Sequence, residues 1–220
     1  MSGKHIPLAQ LFRENPLYAI WDTGLRPEFS GLAALEAWLR AGVKVMQYRH
    51  KGPFRRAHFE ECAAMAKKSR EVGGAFFVND RADIAELCGA DGVHLGQEDL
   101  PVEKARAFLA AERRIGYSIH NLEQARRAAA LRVDYIAIGP VFPTATKENP
   151  DPVVGLEMIA QVRSLTTKPL VAIGGITMEN APAVLQAGAD AVAVIRDLVM
   201  AEDIEARARD ILAALKSPAR

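Results

Sequence analysis

The feature of this 220-residue chain that most restricts its fold is an alternation repeated eight times. Short apolar runs, most of them rich in valine or isoleucine, are separated by longer amphipathic stretches. The runs are Leu17–Trp21, Val43–Tyr48, Ala75–Val78, Gly92–Leu95, Ile115–Tyr117, Tyr135–Ile138, Leu170–Ile173 and Ala191–Ile195. Such runs read as strands buried on both faces of a parallel sheet. Helical periodicity covers Leu32–Leu39, Phe59–Val72, Val102–Leu109, Leu122–Leu131, Glu157–Val162, Asn180–Ala187 and Ile204–Leu215. Asn121 and Thr177 are placed to cap two of these helices, and Gly89 and Gly188 fall where two others should stop. A weak internal repeat strengthens the count: Ala41-Gly42-Val43, Gly89 to Val93 and Gly188 to Val192 each lead from a helix end into a strand. Eight strands alternating with helices predict an α/β protein, a closed (β/α)8 TIM barrel, as one domain over residues 1–220. An open doubly wound sheet is the alternative, but no GxGxxG follows the first run.

Composition narrows the function classes. A formal net charge of +1 gives no overall field that would favour nucleic acid or membrane, so anion binding must come from local clusters. Cys62 and Cys88 form no metal or redox motif and are expected to be buried, reduced thiols. No stretch approaches a membrane span and Met1 to Asn15 holds no apolar signal core, which predicts a cytoplasmic protein with neither nucleic-acid nor membrane partners. The oligomeric state stays open, a homo-oligomer among the alternatives.

In a (β/α)8 barrel the active site lies at the C-terminal ends of the strands, so polar residues should collect just after each run. They do. Gln47, Arg49 and Lys51 alternate at the end of the second run and share one face, where Arg offers a planar fork and Lys a mobile charge to phosphate oxygens. A solvated basic strand end is the plainer alternative. Asp80 and Asp99 follow the third and fourth runs, and such a pair of hard oxygen donors suits Mg2+, although either could simply cap a helix. Ser118 and His120 follow the fifth run, where His120 could move a proton or merely hold a hydrogen bond. A long loop from Gly139 through Thr144, Thr146 and Lys147 to Gly155 follows the sixth, with the spacing of anion contacts on a mobile lid. Gly174-Gly175 follows the seventh, where this fold usually binds phosphate through backbone N–H groups, and Arg196 follows the eighth. His94, inside a strand, reads as a satisfied core imidazole. His5 and His58 read as solvated, and His50 as turned away from the Arg49 face. Asp91 and Asp190 precede strands and belong to the opposite, structural end of the barrel.

From Leu17 to Leu198 the chain resembles the thiamine-phosphate synthase family. The resemblance rests on Val78-Asn79-Asp80-Arg81-Ala82-Asp83-Ile84, on Gly89 to Asp99, on Gly139-Pro140-Val141-Phe142 with Thr144-Ala145-Thr146-Lys147, and on Val171 to Ile176. It implies that 4-amino-5-hydroxymethyl-2-methylpyrimidine diphosphate is condensed with 4-methyl-5-(2-hydroxyethyl)thiazole phosphate. The products are thiamine monophosphate and pyrophosphate, and Mg2+ is the implied cofactor. The same resemblance implies that Gln47, Arg49, Lys51, Asn79, Ser118 and Lys147 hold the pyrimidine diphosphate. It assigns Asp80 and Asp99 to the metal, and Thr144, Thr146, Gly175, Ile195 and Arg196 to the thiazole phosphate. Arg49, Lys51, Lys147 and Ser118 are the expected catalytic groups.

The chain departs from the family pattern in three places. Trp21 precedes Asp22 where Thr is usual, His50 replaces a usual Glu, and Arg196 replaces a usual Ser at the thiazole-phosphate site. Two readings compete with the synthase. One is a thiazole tautomerase-like isomerase on the same barrel, which would need a base such as His120 and no metal. The other is an inactive phosphate-binding regulatory homologue.

Overall fold

A computed structural model describes residues 6–144 and 151–216. In chain order the elements are α1 (Leu8–Glu14), β1 (Leu17–Asp22), α2 (Gly31–Ala41), β2 (Val45–Arg49), α3 (Arg56–Glu71), β3 (Ala75–Asn79), α4 (Ala82–Leu87), β4 (Gly92–Leu95) and α5 (Val102–Phe108). There follow β5 (Arg114–Ile119), α6 (Leu122–Ala130), β6 (Tyr135–Ile138), α7 (Gly155–Leu165), β7 (Leu170–Ile173), α8 (Ala181–Gln186), β8 (Ala191–Val194), α9 (Arg196–Val199) and α10 (Ile204–Lys216). The strands pair in sequence order, all parallel, and β8 closes on β1. This is the expected (β/α)8 barrel. No helix among the described residues is long and apolar enough to cross a membrane.

Alternate residues of each strand face the barrel interior or the helical shell. On β1, Tyr18 and Ile20 point inward to Val45, Phe77, Tyr135, Val171 and Ala193, while Leu17, Ala19 and Trp21 pack outward against the helices. Gly116 is glycine because the Tyr135 ring occupies its side-chain position: a Cβ there would lie 2.0 Å from Tyr135 Cζ. Helix α1 closes the N-terminal end of the barrel with Leu8, Leu11 and Phe12. Phe12 is fully buried, edge-on to Tyr135 with ring centres 6.2 Å apart.

The same end carries a repeated carboxylate device. Asp91, Asp134 and Asp190 each accept from a backbone N–H at or near the start of the preceding strand, Phe76 at 2.9 Å, Ile115 at 2.7 Å and Leu170 at 2.7 Å. Arg106 and Arg163 pair with the second and third of these. Asp91 and Asp190 are therefore structural, as expected, and Asp134 joins them.

Two local expectations need correction. Thr177 is not the cap of α8; that position is Asn180, whose Oδ1 instead accepts from the Thr177 N–H. His58 is not free in solvent but half-buried, its ring centre 3.9 Å from that of His50. Asn121 does cap α6, accepting from Gln124 N–H, and Gly89 and Gly188 follow their helices at φ of 71° and 110°.

Candidate active site

The C-terminal ends of the strands open into two adjoining clefts. The first, about 500 Å3, is lined by Gln47, Arg49, Lys51, Asn79, Asp80, His94, Asp99, Ser118, His120 and Asp151, among others. The second, about 660 Å3, is lined by Gly175, Arg196, Asp197 and Arg207, with others. Thr144, Ile173, Gly174, Ala193 and Ile195 line both, so the two spaces share a wall at β7 and β8. Of the residues expected from the sequence, Gln47, Arg49, Lys51, Asn79, Asp80, Asp99, Ser118 and Thr144 meet at the first cleft, and Thr144, Gly175, Ile195 and Arg196 at the second. Thr146 and Lys147 lie outside the described residues.

Strand alternation aims Gln47, Arg49 and Lys51 into one space, as the sequence predicts. Arg49 is ion-paired with Asp22, which also accepts from the Gly24 N–H at 3.0 Å. The pair holds the guanidinium fork in place without using all five of its N–H groups. Lys51 Nζ reaches Asp80 Oδ2 at 2.6 Å. His50 faces the other way, with its Nδ1 2.7 Å from Thr23 Oγ1.

Asn79 is buried, and its Nδ2 is one of the few buried side-chain atoms among the described residues that lacks a hydrogen-bond partner. A buried amide leaves donors unpaired at a cost, so an orphan lining a cleft marks a place for an acceptor atom of a ligand. Asp80 is the one described non-glycine residue with positive φ, at 64°, a conformation aspartate tolerates better than most. Its N–H is fixed to the His94 carbonyl at 2.8 Å. Asp99 is tied by the Gly96 N–H at 2.6 Å. Burial pushes the Asp99 carboxyl above the usual carboxylate range, and the adjacent Asp80 carboxylate, within hydrogen-bonding reach, pushes it further. Two crowded carboxylates with hard oxygen donors suit a small dication, whose charge would offset their repulsion. No cluster of three or more metal-type side chains occurs among the described residues.

His94 is buried, with Nδ1 2.8 Å from Tyr135 Oη and Nε2 2.8 Å from Ser118 Oγ. Burial pushes its imidazole down to about 4. It is a satisfied interior histidine, as expected, but it also lines the cleft. His120 Nδ1 lies 2.6 Å from the Gly139 carbonyl and its Nε2 3.5 Å from Asp151.

Gly174 and Gly175 line the second cleft, and their lack of a side chain also has a packing reason. A Cβ on Gly174 would meet Pro140 Cα at 2.5 Å, and one on Gly175 would meet Pro143 O at 2.4 Å. Their smallness lets the loop after β6 pack onto β7, and this contact builds the wall between the clefts. Arg207 of α10, which no sequence pattern singles out, enters the second cleft held by Asp197 at 2.6 Å and Glu179 at 3.5 Å.

The family described as thiamine monophosphate synthase matches residues 17–198. A thiamine-phosphate synthase of Koribacter versatilis is 46% identical over 91% of this chain and 96% of its own length. One from Lawsonia intracellularis is 39% identical over 90% and 92%. The solved structure of thiamine phosphate pyrophosphorylase from Pyrococcus furiosus superposes with a TM-score of 0.84 at 35% identity, covering 94% of this chain and 98% of that one.

Proposed function

The chain belongs to the thiamine monophosphate synthase family of transferases, and from that premise we propose how its two clefts divide the work. The first takes 4-amino-5-hydroxymethyl-2-methylpyrimidine diphosphate and the second takes 4-methyl-5-(2-hydroxyethyl)thiazole phosphate. The observation that carries this reading is the shared wall at Thr144, Gly174 and Ile195, because two molecules can be joined only where their spaces meet.

Breaking the pyrimidine carbon–oxygen bond leaves negative charge on the departing diphosphate. Arg49 and Lys51 are placed to stabilise that charge, and Asn79 Nδ2 and the Ser118 hydroxyl to orient the group. Lys147 belongs with this group in the same proposal. Mg2+ held by Asp80 and Asp99 would supply further charge neutralisation at the leaving oxygens. The aminopyrimidine can delocalise the positive charge left on its methylene carbon, so bond breaking precedes capture and no protein nucleophile is required. The thiazole nitrogen, positioned by Thr144, Thr146, Gly175, Ile195 and Arg196 around its phosphate tail, captures that carbon. Asp80, Asp99, Arg49 and Lys51 favour this reaction over the isomerase, which has no diphosphate to neutralise, and over an idle homologue, which has no use for them.

The test mixes both substrates with Mg2+ and follows pyrophosphate. Release is expected, and it should disappear with EDTA. Asn79→Ala should raise the KM for the pyrimidine diphosphate by about tenfold while leaving stability nearly unchanged, since its Nδ2 has no partner to lose. No release above background, with His120-dependent isomerisation in its place, would assign the protein to the tautomerase side.

A further inference from the structure

We propose that a buried hydrogen-bond chain through Tyr18, Tyr135 and His94 fixes the Ser118 hydroxyl as a donor into the first cleft. This makes the two tyrosines and the histidine positioning residues for the diphosphate substrate. The inference rests on the function proposed above, but its first readout does not.

The chain crosses the barrel interior from strand to strand. Gln47 Nε2 on β2 donates to Tyr18 Oη on β1 at 2.8 Å. Tyr18 Oη lies 2.9 Å from Tyr135 Oη on β6, and Tyr135 Oη lies 2.8 Å from His94 Nδ1 on β4. His94 Nε2 then meets Ser118 Oγ on β5 at 2.8 Å. Both ends, Gln47 and Ser118, line the cleft.

Counting protons fixes the direction. A phenol or an alcohol has one proton to give, and so does a neutral imidazole. Tyr18 already accepts from Gln47, so its own proton goes to Tyr135. Tyr135 then gives its proton to His94 Nδ1. This leaves the imidazole proton on Nε2, donated to Ser118 Oγ. The Ser118 proton has no acceptor within the chain and is free for the cleft. In the opposite direction Ser118 donates to His94, the imidazole to Tyr135, and Tyr135 to Tyr18. Tyr18 would then accept twice, and its own proton would have no acceptor in the chain on a residue only 1% exposed. An orphaned buried hydroxyl is the costlier arrangement. Only a Gln47 amide turned end for end would reverse the chain without an orphan. The amide of Gln47 and the role of Ser118 are therefore locked together across five strands.

The consequence is chemical selectivity. Diphosphate oxygens only accept hydrogen bonds, so a serine held as a donor meets them without rearranging, whereas a freely rotating serine must first be ordered. Tyr135→Phe tests this, since phenylalanine fills the same space against Gly116 and Phe77 and removes only the hydroxyl.

The first measurement is the 15N spectrum of the His94 ring in the ligand-free enzyme, assigned by its loss in His94→Gln. The Nε2–H tautomer is expected in the parent protein and a mixture of tautomers in Tyr135→Phe. The Nδ1–H tautomer in the parent protein overturns the proposal. The second measurement is a double-mutant cycle on pyrophosphate release. Tyr135→Phe should lower kcat/KM by about tenfold in the parent protein and have little effect in Ser118→Ala. Equal losses in both backgrounds overturn the positioning role, as does no loss in the parent. If the parent protein releases no pyrophosphate at all, the proposed function fails, and the tautomer alone still decides whether the chain is directional. Tyr18→Phe gives an independent second break, and it too should loosen the tautomer preference.

Discussion

An imidazole buried between two hydroxyls inside a barrel loses the water that would solvate its protonated form, and the nearby Asp99 carboxylate offsets only part of that loss. That is the physical content of the depressed value at His94, about 4 in the folded protein against an ordinary value near 6.5. The unfolded chain takes up a proton between those two limits while the folded chain refuses it. Stability from this residue is therefore complete above about pH 6.5 and is lost progressively as the pH falls toward 4. By this route the protein should be about 2 kcal/mol less stable near pH 5 than near pH 7.5. Urea unfolding in EDTA at the two pH values checks it, with His94→Gln as the comparison. The same loss of stability on acidification in both proteins would assign the effect to other groups.

Among elements, the joint between the loop after β6 and the turn after β7 bears most directly on the site. Gly174 holds a φ of 100°, and its missing Cβ is what admits Pro140. Gly174→Ala should destabilise the protein by about 1–3 kcal/mol and raise the KM for both substrates, because the displaced loop carries Thr144 of the shared wall. Gly42 has a similar φ of 97° but open space around its Cβ position. Gly42→Ala should therefore cost about 1 kcal/mol through backbone strain alone and leave both KM values where they were. Thermal melts with steady-state kinetics separate the two, and an altered KM in Gly42→Ala would refute the packing argument. The elements themselves were unevenly legible. Strands buried on both faces declare themselves as continuous apolar runs, so β4, β6 and β7 match their sequence bounds to the residue and the other strands within two. Helix α9 has four residues, too short to display a 3.6-residue period. Helix α1 is readable only once its docking under the barrel is known. Gln47, Arg49, Lys51, Asn79, Asp80 and Ser118 were legible because the fold dictates which end of each strand is chemical. Tyr18 and Tyr135 read as ordinary core, since their chain of hydroxyls exists only through pairing across strands, and Arg207 reads as the solvated face of α10.

At the scale of the molecule, one end of the barrel is optimised for stability and the other for charge concentration, so removing a carboxylate should have opposite effects at the two ends. Asp190 accepts from Leu170 N–H at 2.7 Å and from Arg163 at 2.8 Å. Asp190→Ala strands both donors and should cost about 1–3 kcal/mol, lowering Tm by several degrees while kcat holds. Asp99 pushes against Asp80 in a half-buried site, and its one backbone contact, the Gly96 N–H, would be met equally well by an asparagine oxygen. Without metal, Asp99→Asn should therefore leave Tm unchanged or raise it, because a neutral amide removes the like-charge repulsion. With both substrates and Mg2+ it should lose activity by at least about a hundredfold. Calorimetry of both variants with and without Mg2+, alongside pyrophosphate release, reads all four quantities. A fall in Tm for metal-free Asp99→Asn would mean that the carboxylate pair stabilises the fold rather than strains it. The case for a cation at that position would then lose its physical basis.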